Sequence, residues 1–120
     1  MLIYSKWVQK DVRVINAQLK KGALEMCVLV LTSKQDTYGY ELAHKISENF
    51  QIAEGTIYPL LRRMTKEVYF ETYLIESSEG PPRKYYRLTA KGRMCMLEMI
   101  KEWREFRSGV DSIIAEGVGE

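Results

Sequence analysis

Apolar residues along this chain recur with two different periods, and the switch between them marks out the architecture. Trp7, Val8, Val12, Ile15 and Leu19 fall at helical spacing, which predicts an amphipathic N-terminal arm; an unstructured terminus is the alternative. Gly22 marks a helix start or break, and Ala23 to Leu31 is apolar almost all round apart from Glu25, as in a helix central to a core. Residues 33–37 read as a short loop, with the Thr37 hydroxyl placed to cap the next helix. Leu42, Ala43, Ile46 and Phe50 give that helix one apolar side. Gly39 lies in its first turn, where glycine is costly, so something should pack closely there.

The next helix is expected to begin near Glu54. Ile57, Leu60, Leu61 and Met64 occupy i, i+3, i+4 and i+7, a clean buried stripe. Its opposite side carries Gly55, Pro59, Arg62 and Lys66, flanked by Thr56, Tyr58 and Arg63, with no acid at its centre. The period then changes to two. From Phe70 to Ser77 the set Phe70, Thr72, Leu74 and Glu76 alternates with Glu71, Tyr73, Ile75 and Ser77, and strand-prone residues dominate. Ser78-Glu79-Gly80-Pro81-Pro82 supplies a turn, and residues 83–88 return as a second strand. Tyr85 and Tyr86 point to opposite faces, so one should be buried. Thr89 is a good cap for a last helix, in which Met96, Met99, Trp103, Phe106, Val110 and Ile113 take a and d positions. That row has the length of a modest coiled-coil seam, a dimer interface.

The predicted fold is mainly α with a small β-hairpin. Its order of three helices, a hairpin and a long helix is a winged helix-turn-helix plus a C-terminal dimerisation helix. The parts are an arm over residues 1–20, a DNA-binding domain over 21–89 and the dimerisation helix over 90–120. A link of about three residues between the second and third helices is the expected helix-turn-helix geometry. A third helix with an apolar inner face and a cationic outer face suits a major groove about 12 Å wide. Arg62 and Lys66 are the candidate groove residues, with Thr56, Tyr58, Pro59 and Arg63 beside them. The alternative is that Arg62 and Arg63 are plain surface charges. Arg83 and Lys84, just past the hairpin tip, are candidate wing contacts. Tyr38 and Tyr40 either touch phosphate or pack in the core.

Charge sharpens this picture through its distribution. The net charge of +2 is too small to argue for a polyanion. Residues 83–93, however, hold Arg83, Lys84, Arg87, Lys91 and Arg93 and no acid, while residues 94–120 hold Lys101, Arg104 and Arg107 against Glu98, Glu102, Glu105, Asp111, Glu116 and Glu120. One face for a polyanion and another kept from it is the functional reading; unevenly charged solvated surface is the bland one. Cys27 and Cys95 are too few for a disulfide framework or a zinc set, and His44 has no second imidazole. No signal peptide is visible, and the longest apolar run, Met26 to Leu31, is far below the ~20 residues that span a bilayer. A reducing cytoplasm, no cofactor, no metal and no membrane are expected. An enzyme is excluded on inventory, with no glycine-rich phosphate loop and no paired carboxylates in a shared motif.

Three blocks carry a resemblance. Tyr38-Gly39-Tyr40-Glu41-Leu42, then Glu54-Gly55-Thr56-Ile57-Tyr58-Pro59-Leu60-Leu61-Arg62-Arg63-Met64, then Gly80-Pro81-Pro82-Arg83-Lys84-Tyr85-Tyr86-Arg87-Leu88-Thr89 with Lys91-Gly92-Arg93 resemble the PadR family of bacterial transcription regulators. The resemblance spans roughly residues 21–114 and is to the branch with a single C-terminal helix. It implies a homodimeric regulator that binds double-stranded operator DNA, with the last and N-terminal helices at the dimer interface. It also implies repression of nearby genes, often for phenolic-acid detoxification or drug efflux, relieved by small aromatic effectors. Trp103 is then either an interface anchor or a wall of an effector pocket, with Trp7 as a second wall. Two positions depart from the family pattern. Ala53 stands where Ser or Asn is usual, removing a cap worth roughly 0.5–2 kcal/mol. Val68 stands where Gly is usual, at a left-handed helix end that penalises a β-branched residue. The competing reading is a winged protein–protein interaction module that does not bind DNA.

Overall fold

A computed structural model describes residues 20–53 and 55–119, so the expected arm helix and Trp7 lie outside the described residues. The first described element, α1, is helical over residues 20–34 and runs straight through Gly22, which is exposed and neither starts nor breaks it. Leu24, Val28 and Leu29 are its buried side. Thr32 is buried beside them because its hydroxyl donates back to the Val28 carbonyl at 2.8 Å.

Thr37 does not cap a helix. Thr37–Tyr38 form a short strand, β1, and the following helix α2 (Gly39–Ser47) starts without a side-chain cap. Strands β2 (Phe70–Ile75) and β3 (Arg83–Leu88) complete a three-stranded antiparallel sheet in the order β1-β3-β2. The extra strand is possible because β3 would otherwise present an unpaired backbone edge. Register pairs Thr37 with Tyr86 and Tyr38 with Tyr85, while Phe70, Thr72 and Leu74 face Leu88, Tyr86 and Lys84. Tyr86 is the buried member of its pair and meets Phe70 edge-on at 5.8 Å.

The third helix, α3, covers Ile57–Lys66 and so starts three residues later than expected. Gly55 takes a left-handed φ of 85° and the Thr56 N–H bonds the Ala53 carbonyl, a turn that delays helical geometry. The link from α2 is correspondingly longer, covering residues 48–56. Phe50 in that link is held by its N–H on the Ile46 carbonyl and packs against the core. Ile57, Leu61 and Met64 bury against Leu42 and Ile46 of α2 and the α1 stripe, joined by Phe70, Tyr86 and Met96.

The last helix, α4, runs over Ala90–Val118. Thr89 caps it, its oxygen accepting the Gly92 N–H at 2.9 Å. Only its first turns join the core. Met96, expected on the dimer seam, is instead buried in the chain's own core, and Met99 and Ile100 pack half-buried beside it. Every residue from Lys101 to Ile114 is exposed, including Trp103, Phe106, Val110, Ile113 and Ile114.

Candidate nucleic-acid interface

The end of α3 is fixed by its junction with α4. The Tyr69 N–H bonds the Met64 carbonyl and the Val68 N–H bonds the Thr65 carbonyl, both at 3.0 Å, a left-handed helix stop. Val68 accordingly takes φ 66°, the one positive φ at a non-glycine among the described residues, as its departure from the family pattern anticipates. The Thr89 hydroxyl donates to the Val68 carbonyl at 2.7 Å, and the Lys91 ammonium donates to the Glu67 carbonyl at 2.8 Å. Cations at helix C-termini are favoured by the unsatisfied carbonyls there. Lys91 also lies 5.0 Å over the Tyr69 ring, so this cation of the basic segment is spent inside the fold.

With its ends set, α3 stands as a ridge between two clefts. On one flank, Tyr58 and Arg62 line a cleft of about 320 Å³ with Tyr38, Gly39, Tyr40, Lys84 and Tyr86. The first turn of α2 can approach there because position 39 has no side chain; a Cβ would meet the Tyr58 ring at 3.2 Å and the Tyr86 ring at 3.6 Å. Burial pushes the Tyr86 phenol above its ordinary pKa, with Tyr58 adding and Arg62 opposing. On the other flank, Thr56, Pro59, Leu60 and Arg63 line a larger cleft of about 890 Å³ with Lys20, Lys21, Leu24 and the link residues 51–53.

The candidate site residues divide accordingly. Tyr38, Tyr58, Arg62 and Lys84 come together, although they lie on three different elements. Arg62 and Lys66 are exposed and make no ion pair among the described residues. Arg63 does not join them. Its guanidinium bonds Glu25 of α1 and lies 3.2 Å from Glu67, and the attraction of Glu25 foremost raises its pKa. Helical rotation turns Arg63 toward Glu25 of α1, and Glu67 one turn further along α3 completes its neutralisation. Thr56 and Pro59 face the opposite flank from Arg62.

Arg83 and Lys84 also part company, since neighbours on a strand point to opposite faces. Lys84 faces α3, whereas Arg83 lies on the outer face, its guanidinium 4.8 Å over the Tyr38 ring. That outer face carries a row of rings beginning at Tyr38, which borders the cleft but turns its ring outward: it meets Tyr85 at 5.6 Å, and Tyr85 stacks on Tyr73 at 5.6 Å. Asp36 locks the row's far end, accepting from the Tyr73 hydroxyl at 2.6 Å and from Arg87 Nε at 3.3 Å. The bond to Asp36 is the main reason the Tyr73 phenol titrates higher than usual. Asp36 and the two α1 lysines gave no signal in the sequence, because each meets its neighbours only through tertiary packing. Trp103 lines a separate groove of about 550 Å³ with Met26, Cys27, Val30, Leu31, Phe50 and Ile100, rimmed by Lys45, Arg104 and Arg107.

Known proteins share this fold. Residues 28–98 match the transcriptional regulator PadR-like family. A PadR-like transcriptional regulator from Bacillus cereus is 41% identical, with a TM-score of 0.73 over 81% of this chain and 96% of that one. A PadR family regulator from Eggerthella lenta is 28% identical with a TM-score of 0.75, over 95% of this chain and 97% of that one. An uncharacterized Lysinibacillus sphaericus protein is 35% identical over 87% of this chain and 98% of its own length. The family and these structural neighbours are regulators of transcription rather than enzymes, and their fold is the winged one described above. Among the described residues no helix is long and apolar enough to cross a membrane. The family match, over more than half the chain, and the shared fold place this protein in the PadR-like family of DNA-binding transcriptional regulators.

Proposed function

We propose that this protein is a homodimeric repressor that binds an operator duplex with α3 in the major groove and is released by a small effector. The observation that carries the reading is the gathering of Tyr38, Tyr58, Arg62 and Lys84 around one cleft, on a face where Arg62 and Lys66 meet no acid among the described residues. Arg62 has the fork geometry that reads guanine, whereas Lys66 and Lys84 suit phosphate. Dimerisation is supported by the bare apolar row Trp103, Phe106, Val110 and Ile113, which a single chain leaves in water. The groove under Trp103 supports the effector. It is apolar within, its lining holds Lys45 and Arg104 as well as an Arg107 paired with Asp111, and it suits an aromatic acid.

A gel shift with the duplex upstream of the protein's own gene tests the reading. The wild type binds it in preference to a scrambled duplex, and Arg62→Ala weakens the specific complex by about 1–3 kcal/mol while relaxing one base position. Equal binding to both duplexes by the wild type removes specific regulation; no binding to either leaves the protein-interaction alternative. Effector release is read in the same gel by adding a phenolic acid, with Trp103→Ala expected to abolish the response.

A further inference from the structure

Resting on the DNA-binding reading, we infer that Lys20 and Lys21 hold the phosphates of the groove wall opposite the wing. A helix seated in the major groove has a phosphodiester backbone on each side. On one side of α3 the wing supplies Lys84, across the cleft from Arg62. On the other side the far wall of the larger cleft is the start of α1, which brings Lys20 and Lys21 to face Thr56 and Pro59. Its described lining holds no carboxylate. Arg63 shares this cleft but is neutralised by Glu25 and Glu67, so the wall's available positive charge comes from the two lysines. The Lys20 ammonium is already oriented by the Gln51 carbonyl at 2.7 Å, which takes one of its three donors and leaves two. Lys21 is exposed, with no partner among the described residues. Nothing in the helical periodicity of α1 distinguishes these lysines from solvated charges.

The chemistry implied is sequence-independent charge neutralisation, so the test reads salt dependence. Each phosphate contact contributes about 0.9 to the slope of log K against log salt. Lys20→Ala and Lys21→Ala each remove two contacts from a dimer–duplex complex, so each should lower that slope by about 1.8 and weaken the upstream and scrambled duplexes by the same factor; Lys101→Ala, on the exposed half of α4, should change neither. Lys20→Arg should restore the slope of the alanine variant. Thermal melts of each variant check the fold, and Lys21→Ala, whose side chain makes no bond among the described residues, carries the test if Lys20→Ala is unstable. An unchanged slope in folded Lys21→Ala, with Arg62→Ala still impaired on the upstream duplex, overturns this inference and spares the DNA reading. Wild-type protein that binds neither duplex overturns both.

Discussion

Two glycine-to-alanine changes in the same helix should move stability in opposite directions. Alanine is favoured over glycine inside a helix by about 1 kcal/mol. Gly109, in the exposed half of α4, has nothing within 4 Å of where a Cβ would stand, so Gly109→Ala should approach that full gain. At Gly92 a Cβ would stand 2.3 Å from the Tyr69 carbonyl oxygen and 2.6 Å from Leu88 Cδ1. An ordinary carbon–oxygen contact is roughly 3.3 Å, so relief requires a shift of about 1 Å. The oxygen cannot simply swing away, because it accepts the Thr89 N–H at 3.1 Å. Moving α4 instead loosens the Thr89 cap, worth about 0.5–2 kcal/mol. With the cap loss added to overpacking of about 1–3 kcal/mol and the helical gain subtracted, Gly92→Ala should lose roughly 0.5–4 kcal/mol net. Urea unfolding at fixed protein concentration measures this, and with a slope of ~1–3 kcal/mol/M the midpoint falls by roughly 1 M. A Gly92→Ala midpoint equal to or above that of the wild type would refute the close-approach argument. Because that carbonyl belongs to Tyr69, whose N–H closes the stop of α3 on the Met64 carbonyl, operator affinity should fall in the variant as well.

Arg63→Ala should leave operator affinity within about twofold, since Glu25 and Glu67 already occupy that guanidinium, and should cost at most about 1 kcal/mol of stability; a loss as large as that of Arg62→Ala contradicts the assignment. Val68→Gly should raise the urea midpoint, because relief of about 1–2 kcal/mol of left-handed strain exceeds the ~0.5–1 kcal/mol of added chain entropy, and an unchanged or lower midpoint counts against it. Phe106→Glu should convert a dimer into a monomer at micromolar concentration in sedimentation, with α-helical circular dichroism retained; an unchanged mass removes the seam.

The stripe Ile57, Leu61 and Met64, the hairpin of the wing and the Thr89 cap are visible in residue order because each depends on neighbours within a turn or across a short loop. The exposure of Arg62 and Lys66 follows from the same stripe by helical rotation. The first residue of α3 is ambiguous in residue order for a local reason: the left-handed Gly55 and its turn admit either a helix start or a delay. The strand at Thr37 was not legible, because only the facing edge of β3, some fifty positions away, turns that segment into a strand.

The pattern of side chains therefore settled which face of each element is apolar and which outward residues are basic. Packing alone decided which of those cations stay available. Glu25 silences Arg63 from 38 positions away, Asp36 takes Arg87 from 51 positions away, and Lys20 and Lys21 become neighbours of α3 only when α1 is laid beside it. Periodicity records how one element meets the core, whereas charge cancellation depends on distances between elements, and those exist only once the chain is folded.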